Sequence, residues 1–185
     1  MVEESRVYLH FAPQQVNYDN CSSLISEVQS VVARGVEEIV LLISSPGGFV
    51  DPAMMAYNYL KGCPAKLTTH NIGTCESIAV VIFAAGDTRL SVPHGRFLIH
   101  DLTWTFPATT TYQVSQLEEI LKRLRNDADN IAGILAEACS KNESDIHEAM
   151  RNSLTLAPEE ALEWGLVHEL DQALHPEGAT VIRVA

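Results

Sequence analysis

The chain reads as an α/β domain built on a parallel sheet, and three observations carry that reading. Short apolar, β-prone runs alternate along the chain with segments of helical period, the order that produces crossover connections. One of those runs, Ile39-Val40-Leu41-Leu42-Ile43, is apolar throughout, as in a strand covered on both faces. The strands end in Gly- and Ser-bearing breaks, Ser44-Ser45-Pro46-Gly47-Gly48 and Gly73-Thr74-Cys75-Glu76-Ser77, where α/β domains place their sites.

Arg6 to Phe11 is a first strand. Tyr18-Asp19-Asn20 caps a helix that runs to about Arg34, with Leu24, Val28, Val31 and Val32 on its buried face and Gly35 past its end. Glu38 to Ile43 is the second strand, and Asp51 to Leu60 resumes as helix after the Pro-Gly-Gly break. Lys66 to Ile72 is the third strand. A tight Gly73-bearing turn then leads into a buried helix from Glu76 to Ala85. Arg89 to Val92 and Arg96 to His100 are short strands joined through Pro93-His94-Gly95.

Past His100 the pattern changes. Asp101 to Tyr112 is rich in Thr and aromatics and has no period. Tyr112 to Cys139 is a long amphipathic helix, followed by a shorter one from Ser144 to Arg151. Pro158 to Trp164 is a last helix with Pro at its start and Gly165 beyond its end. Leu166 to Leu170 is a final strand, and the tail to Ala185 is weakly specified.

A length of 185 residues suits one domain, and 46% hydrophobic against 19% charged residues is a globular, ordered composition. A net charge of −12 excludes a general nucleic-acid binder, which needs a basic face for phosphates. No apolar run approaches the length of a membrane span. The acidic start Met1-Val2-Glu3-Glu4 is not that of a secretory signal, and Cys21, Cys63, Cys75 and Cys139 form no CxxC pair. Both features fit a cytoplasmic protein with reduced thiols. The seven histidines show no paired metal-ligand spacing, so no metal and no cofactor is expected.

The breaks also hold the parts of an acyl-transfer site. Such a site needs a nucleophile, a base, a group that orients the base, and N–H donors for an oxyanion. Ser77 stands at a helix start and His100 at a strand end. Gly47-Gly48 can turn backbone N–H groups toward a substrate carbonyl, because glycine has no Cβ to block approach. The Ile78 N–H is a second donor. Taken singly, each has a plainer role: Ser77 as an N-cap, His100 as a hydrogen-bonded structural residue, Pro46-Gly47-Gly48 as a turn.

Ile43-Ser44-Ser45-Pro46-Gly47-Gly48, then Gly73-Thr74-Cys75-Glu76-Ser77-Ile78-Ala79, then Phe97-Leu98-Ile99-His100 resemble the ClpP family of self-compartmentalised serine peptidases. So do Leu156-Ala157-Pro158-Glu159-Glu160-Ala161 and Glu163-Trp164-Gly165-Leu166-Val167, which extends the likeness over about Arg6 to Leu170. The resemblance implies a ClpP/crotonase-type α/β fold of repeated ββα units with a protruding handle helix. In residue terms it implies one domain over 1–185, with a head formed by about 1–110 and 150–172 and a handle by about 111–140. It further implies Ser77 as nucleophile, His100 as base, and the Gly48 and Ile78 N–H groups as oxyanion hole. Peptide or unfolded-protein substrates and a homo-oligomer of stacked seven-membered rings (a tetradecamer) follow from it as well.

Three positions depart from the family pattern. Asn152 stands where the family's third triad member, an Asp, is expected, and a neutral amide brings no charge to the imidazolium. Asp101 and Glu148 are alternative acids. Glu76 precedes the nucleophile in place of a small apolar residue. It acts on a nearby His, bridges to a neighbouring subunit, or is a first-turn acid favoured by the helix dipole. The chain also begins almost directly at its first strand, and Asp101-Leu102-Thr103-Trp104-Thr105-Phe106-Pro107 lacks the paired glycines of the family's substrate-binding strand. ATPase docking is therefore not expected, and Trp104 and Phe106 are assigned to packing between subunits. The expected function is peptide hydrolysis in an oligomeric chamber. The alternatives are a weak or inactive ring-forming scaffold subunit and a crotonase-type acyl-CoA enzyme.

Overall fold

A computed structural model describes residues 5–184. The acidic start on which the expectations about a secretory signal and ATPase docking rest, residues 1–4, lies outside the described residues, as does residue 185.

Among the described residues eight strands form one sheet. β1 (Arg6–Phe11) pairs in parallel with β2 (Glu38–Ser45), and β2 pairs in parallel with β3 (Lys66–Glu76). β3 is the longest strand, and it changes partner along its length. Thr68–Asn71 pair with β4 (Thr88–Ser91), whereas Thr74–Glu76 pair with β5 (Arg96–Ile99), both in parallel. β6 (Leu154–Leu156) adds antiparallel to β5, β7 (Glu169–Leu170) adds to β4, and β8 (Val181–Arg183) adds to the free side of β1. The expected α/β class with a parallel sheet is the observed one.

The helices follow their capping chemistry. α1 (Tyr18–Ala33) starts from Asn17, one residue before the expected cap. The Asn17 side chain accepts from the Asn20 N–H while Asn20 returns a bond to the Asn17 N–H. Cys21, Leu24, Val28 and Val31 are its buried face, and Val32 is only half-buried. α2 (Val50–Lys61) follows the Pro-Gly-Gly break. α3 (Ala79–Ala84) is buried along its whole length. α4 (Val114–Cys139) has 26 residues, or ~39 Å at 1.5 Å per residue. Its buried positions, Ile131, Ala132, Leu135, Ala136 and Cys139, all lie in its second half, while Val114, Leu117 and Leu121 in the first half are exposed. α5 (Glu143–Arg151) and α6 (Pro158–Glu163) are the last helices among the described residues. No helix among the described residues is long and apolar enough to cross a membrane.

Three expectations are corrected. The strand expected to stop at Ile72 continues to Glu76, because its last residues gain a new partner in β5; Gly73 lies inside the strand and not in a turn. The helix expected from Glu76 starts later, at Ala79. The final strand shrinks to Glu169–Leu170, while the tail supplies β8.

Two histidines fasten the far edge of the sheet in their neutral form. His70 is 1% exposed, and its Nε2 donates to the Asp171 carbonyl at 3.0 Å. His168 accepts the Arg89 N–H on Nδ1 at 3.2 Å. Burial lowers both pKa values below the ordinary 6.5, and the Arg89 charge adds to this at His168. A lowered folded-state pKa means that the unfolded chain binds more protons in the interval below about 6.5. Stability is thus full above that value and is lost as the pH falls through it. The melting temperature is expected to drop between about pH 7.5 and about pH 5, and His70→Gln, which keeps a donor but cannot be protonated, to flatten that dependence. Thermal melts across this range check it.

Candidate active site

The site is assembled by the end of β3. Cys75 is fully buried beside Ser45 of β2, and burial holds its thiol well above the ordinary pKa. Glu76 ends the strand. Its carboxylate takes both the Nε and an Nη of Arg96, at 2.6 and 2.5 Å, from the neighbouring strand β5. Glu76, for which a first-turn acid is one of three expectations, is thus in a cross-strand ion pair within one chain, since the strand reaches four residues further than the sequence suggests.

Ser77 follows at φ 55°, a left-handed conformation that costs a non-glycine residue about 1–2 kcal/mol. Its N–H donates to the Leu98 carbonyl of β5 at 2.8 Å, so the sheet holds the residue that leaves it. The left-handed step turns the chain sharply from β3 into α3 and leaves the serine half-exposed between them.

The Pro-Gly-Gly break packs directly on this turn. A Cβ on Gly47 (φ 96°) would stand 2.6 Å from the Ser77 Cβ and 2.8 Å from the Glu76 carbonyl oxygen. A Cβ on Gly48 would stand 2.3 and 2.5 Å from the backbone of Val16. The second approach is a short parallel bridge in which the Val16 N–H donates to the Gly47 carbonyl and the Phe49 N–H to the Val16 carbonyl. That pattern leaves the Gly48 N–H outside the bridge. Among the described residues neither the Gly48 nor the Ile78 N–H donates to another group of the chain.

Ser77, His100, Gly48 and Ile78 line one pocket of about 90 Å³, closed by Ile99, Leu102, Ile131 and Leu135. Gly48, Val50, Leu102 and Thr103 also line a groove of about 730 Å³ that runs out past Phe49 and Trp104. There Arg123 binds Asp51 at 2.5 Å and lies over the Trp104 ring at 6.0 Å. Four of the five expected site residues therefore share a pocket. Asn152 does not line it; its side chain is exposed and its backbone is the C-cap of α5. The Nδ1 of His100 lies 2.7 Å from the Asp101 carbonyl, and among the described residues no hydrogen bond joins His100 to Asn152 or to Ser77. Neither the Asp101 carbonyl nor the Arg96–Glu76 pair was signalled by the sequence. Opposite charges twenty residues apart meet only because β3 and β5 are neighbours, and a backbone carbonyl has no residue type to betray it.

Residues 3–173 match the family described as Clp protease. The chain is 27% identical over 172 residues to an ATP-dependent Clp protease proteolytic subunit of Deinococcus radiodurans, covering 91% of this chain and 82% of that one. It is 23% identical over 160 residues to the ATP-dependent Clp protease proteolytic subunit 2 of Chlamydia trachomatis serovar D, covering 85% and 77%.

Proposed function

Because the chain belongs to the Clp protease family, we propose that it hydrolyses peptide bonds with Ser77 as nucleophile and His100 as general base. The observation that supports this reading best is the shared pocket: hydroxyl, imidazole and two unengaged backbone N–H groups border one small space. In the proposed reaction the Ser77 Oγ bonds to the scissile carbonyl carbon while its proton passes to His100 Nε2. The carbonyl oxygen becomes an oxyanion, which accepts from the Gly48 and Ile78 N–H groups. Collapse breaks the C–N bond, and His100 returns its proton to the leaving amine. Water then attacks the acyl-enzyme by the same route. The groove past Phe49 and Trp104 is assigned to the peptide chain, in place of the expected packing of Trp104 between subunits.

Substrates are peptides or unfolded proteins, and the active form is a homo-oligomer. The exposed stripe Val114, Leu117 and Leu121 on α4 recurs at helical spacing and is assigned to ring stacking, with α4 as the handle of a single domain. An ATPase partner is not part of the proposal. A second reading, an inactive ring-forming subunit, is favoured by the absence of a Ser77–His100 hydrogen bond among the described residues.

A fluorophosphonate reagent with mass mapping separates the two. Covalent label on Ser77 of the assembled protein supports hydrolysis, and an unlabelled Ser77 rejects it. Leu117→Asp with Leu121→Asp is expected to lower the assembly state seen by analytical ultracentrifugation.

A further inference from the structure

We infer that Asp101, through its backbone carbonyl, is the residue that positions the imidazole of His100, in the place where the sequence offers Asn152. The inference rests on the catalytic reading of Ser77 and His100. A carbonyl oxygen can only accept, so the 2.7 Å contact requires the proton of the neutral ring to sit on Nδ1. Nε2 is then the unprotonated nitrogen, as a base for the serine proton must be. During attack that proton moves from Ser77 Oγ to Nε2, the Nδ1–H stays in place, and nothing is transferred to Asp101.

The carbonyl is itself held. Asp101 Oδ1 accepts the Leu102 N–H at 2.8 Å. That N–H and the Asp101 carbonyl belong to the same planar peptide unit, so fixing one end fixes the direction of the other. Leu102 packs against the hydrophobic core and anchors the far side of the unit. The Asp101 carboxylate therefore acts at one remove: it aims a peptide, and the peptide aims the ring. Asn152, exposed at the end of α5, makes no such contact.

Three substitutions and one spectrum test this. Asp101→Ala is expected to lower kcat about fivefold with KM unchanged, the rate equivalent of one neutral hydrogen bond. Asp101→Asn restores it, because the amide oxygen still accepts from Leu102. Asn152→Ala changes kcat/KM by less than about twofold, within the scatter of surface substitutions. Nitrogen-15 spectra of the labelled protein at neutral pH show a proton on His100 Nδ1 in the wild type and in Asn152→Ala, and a mixture of tautomers in Asp101→Ala. A tenfold or larger fall in Asn152→Ala, or a proton on Nε2 in the wild type, overturns the inference. A loss in Asp101→Asn equal to that in Asp101→Ala also overturns it, since the charge and not the carbonyl would then matter. If Ser77 takes no fluorophosphonate label, the catalytic reading fails, and the spectra alone still decide how the ring is held.

Discussion

Ser77→Ala is expected to lower peptide hydrolysis by about 10⁴-fold or more while leaving the fold intact. Loss of a triad nucleophile in a serine peptidase removes about that much, and what remains is binding and oxyanion stabilisation. The substitution is structurally mild. The residue is half-exposed, the Ser77 N–H bond to Leu98 is a backbone bond, and Gly47 abuts the Ser77 Cβ, which alanine keeps. Gly47→Ala is the complementary change. It retains the hydroxyl but forces a methyl to within 2.6 Å of the Ser77 Cβ, so one of the two segments shifts. A displacement on the order of 1 Å in a reacting group costs about 10²-fold. Steady-state hydrolysis of a fluorogenic peptide, with melting curves as the control on folding, checks both. Equal activity in Ser77→Ala and wild type would exclude Ser77 as nucleophile.

Arg89→Met is expected to destabilise the protein by about 4 kcal/mol, because it leaves buried carbonyls of three segments without a donor, at about 1–3 kcal/mol each. Arg89 is 6% exposed and, among the described residues, has no carboxylate partner; its guanidinium is satisfied by carbonyls instead. It donates to Leu166 at 2.7 Å, Ala138 at 2.6 Å, and Gly86 and Gly165 at 3.3 Å. Ala138 is in the last turn of α4, where the helix dipole favours a cation. Burial lowers the Arg89 pKa, yet an arginine stays charged. Methionine fills the volume and leaves the carbonyls of three separate segments without a donor. At this chain length about 4 kcal/mol corresponds to a fall in Tm of roughly 10 °C. Arg89→Lys, with one ammonium in place of a planar fork, recovers only part of the loss. A Tm within about 2 °C of wild type for Arg89→Met would show that the network carries little stability.

What was legible in the sequence is what repeats or stands in order. The apolar run Ile39–Ile43 named a strand buried on both faces, and the period of Leu117, Ile120, Leu121 and Leu124 named the long helix. Gly48, Ser77 and His100 carry their residue types in a telling sequence, and the structure sets them around one pocket. What was not legible depends on tertiary partners. Gly73 and Thr74 look like turn residues because propensity is local, whereas pairing with β5 is not. β6 and β8 have three residues each, too few to show any period. Arg89 sits in a short strand whose pattern does not announce a buried cation. The placement of Asn152 away from His100 depends on where α5 ends, which sequence spacing does not settle.

The partner exchange along β3 divides the site into a fixed half and a movable one. Opening the end of β3 means separating it from β2 and β5 together, so the Ser77 N–H, bonded to Leu98, is expected to exchange slowly. His100 lies just beyond the last residue of β5, at the head of an exposed stretch, 101–113, that has neither strand nor helix. Local fluctuation of that stretch therefore comes closer to His100, the proposed base, than to Ser77, the proposed nucleophile, and the Asp101–Leu102 peptide is what restrains it. On the proposed mechanism, a signal that turns hydrolysis on or off, whether assembly, substrate or a neighbouring subunit, would have the Ser77 backbone as its reference point and the His100 imidazole as its moving part.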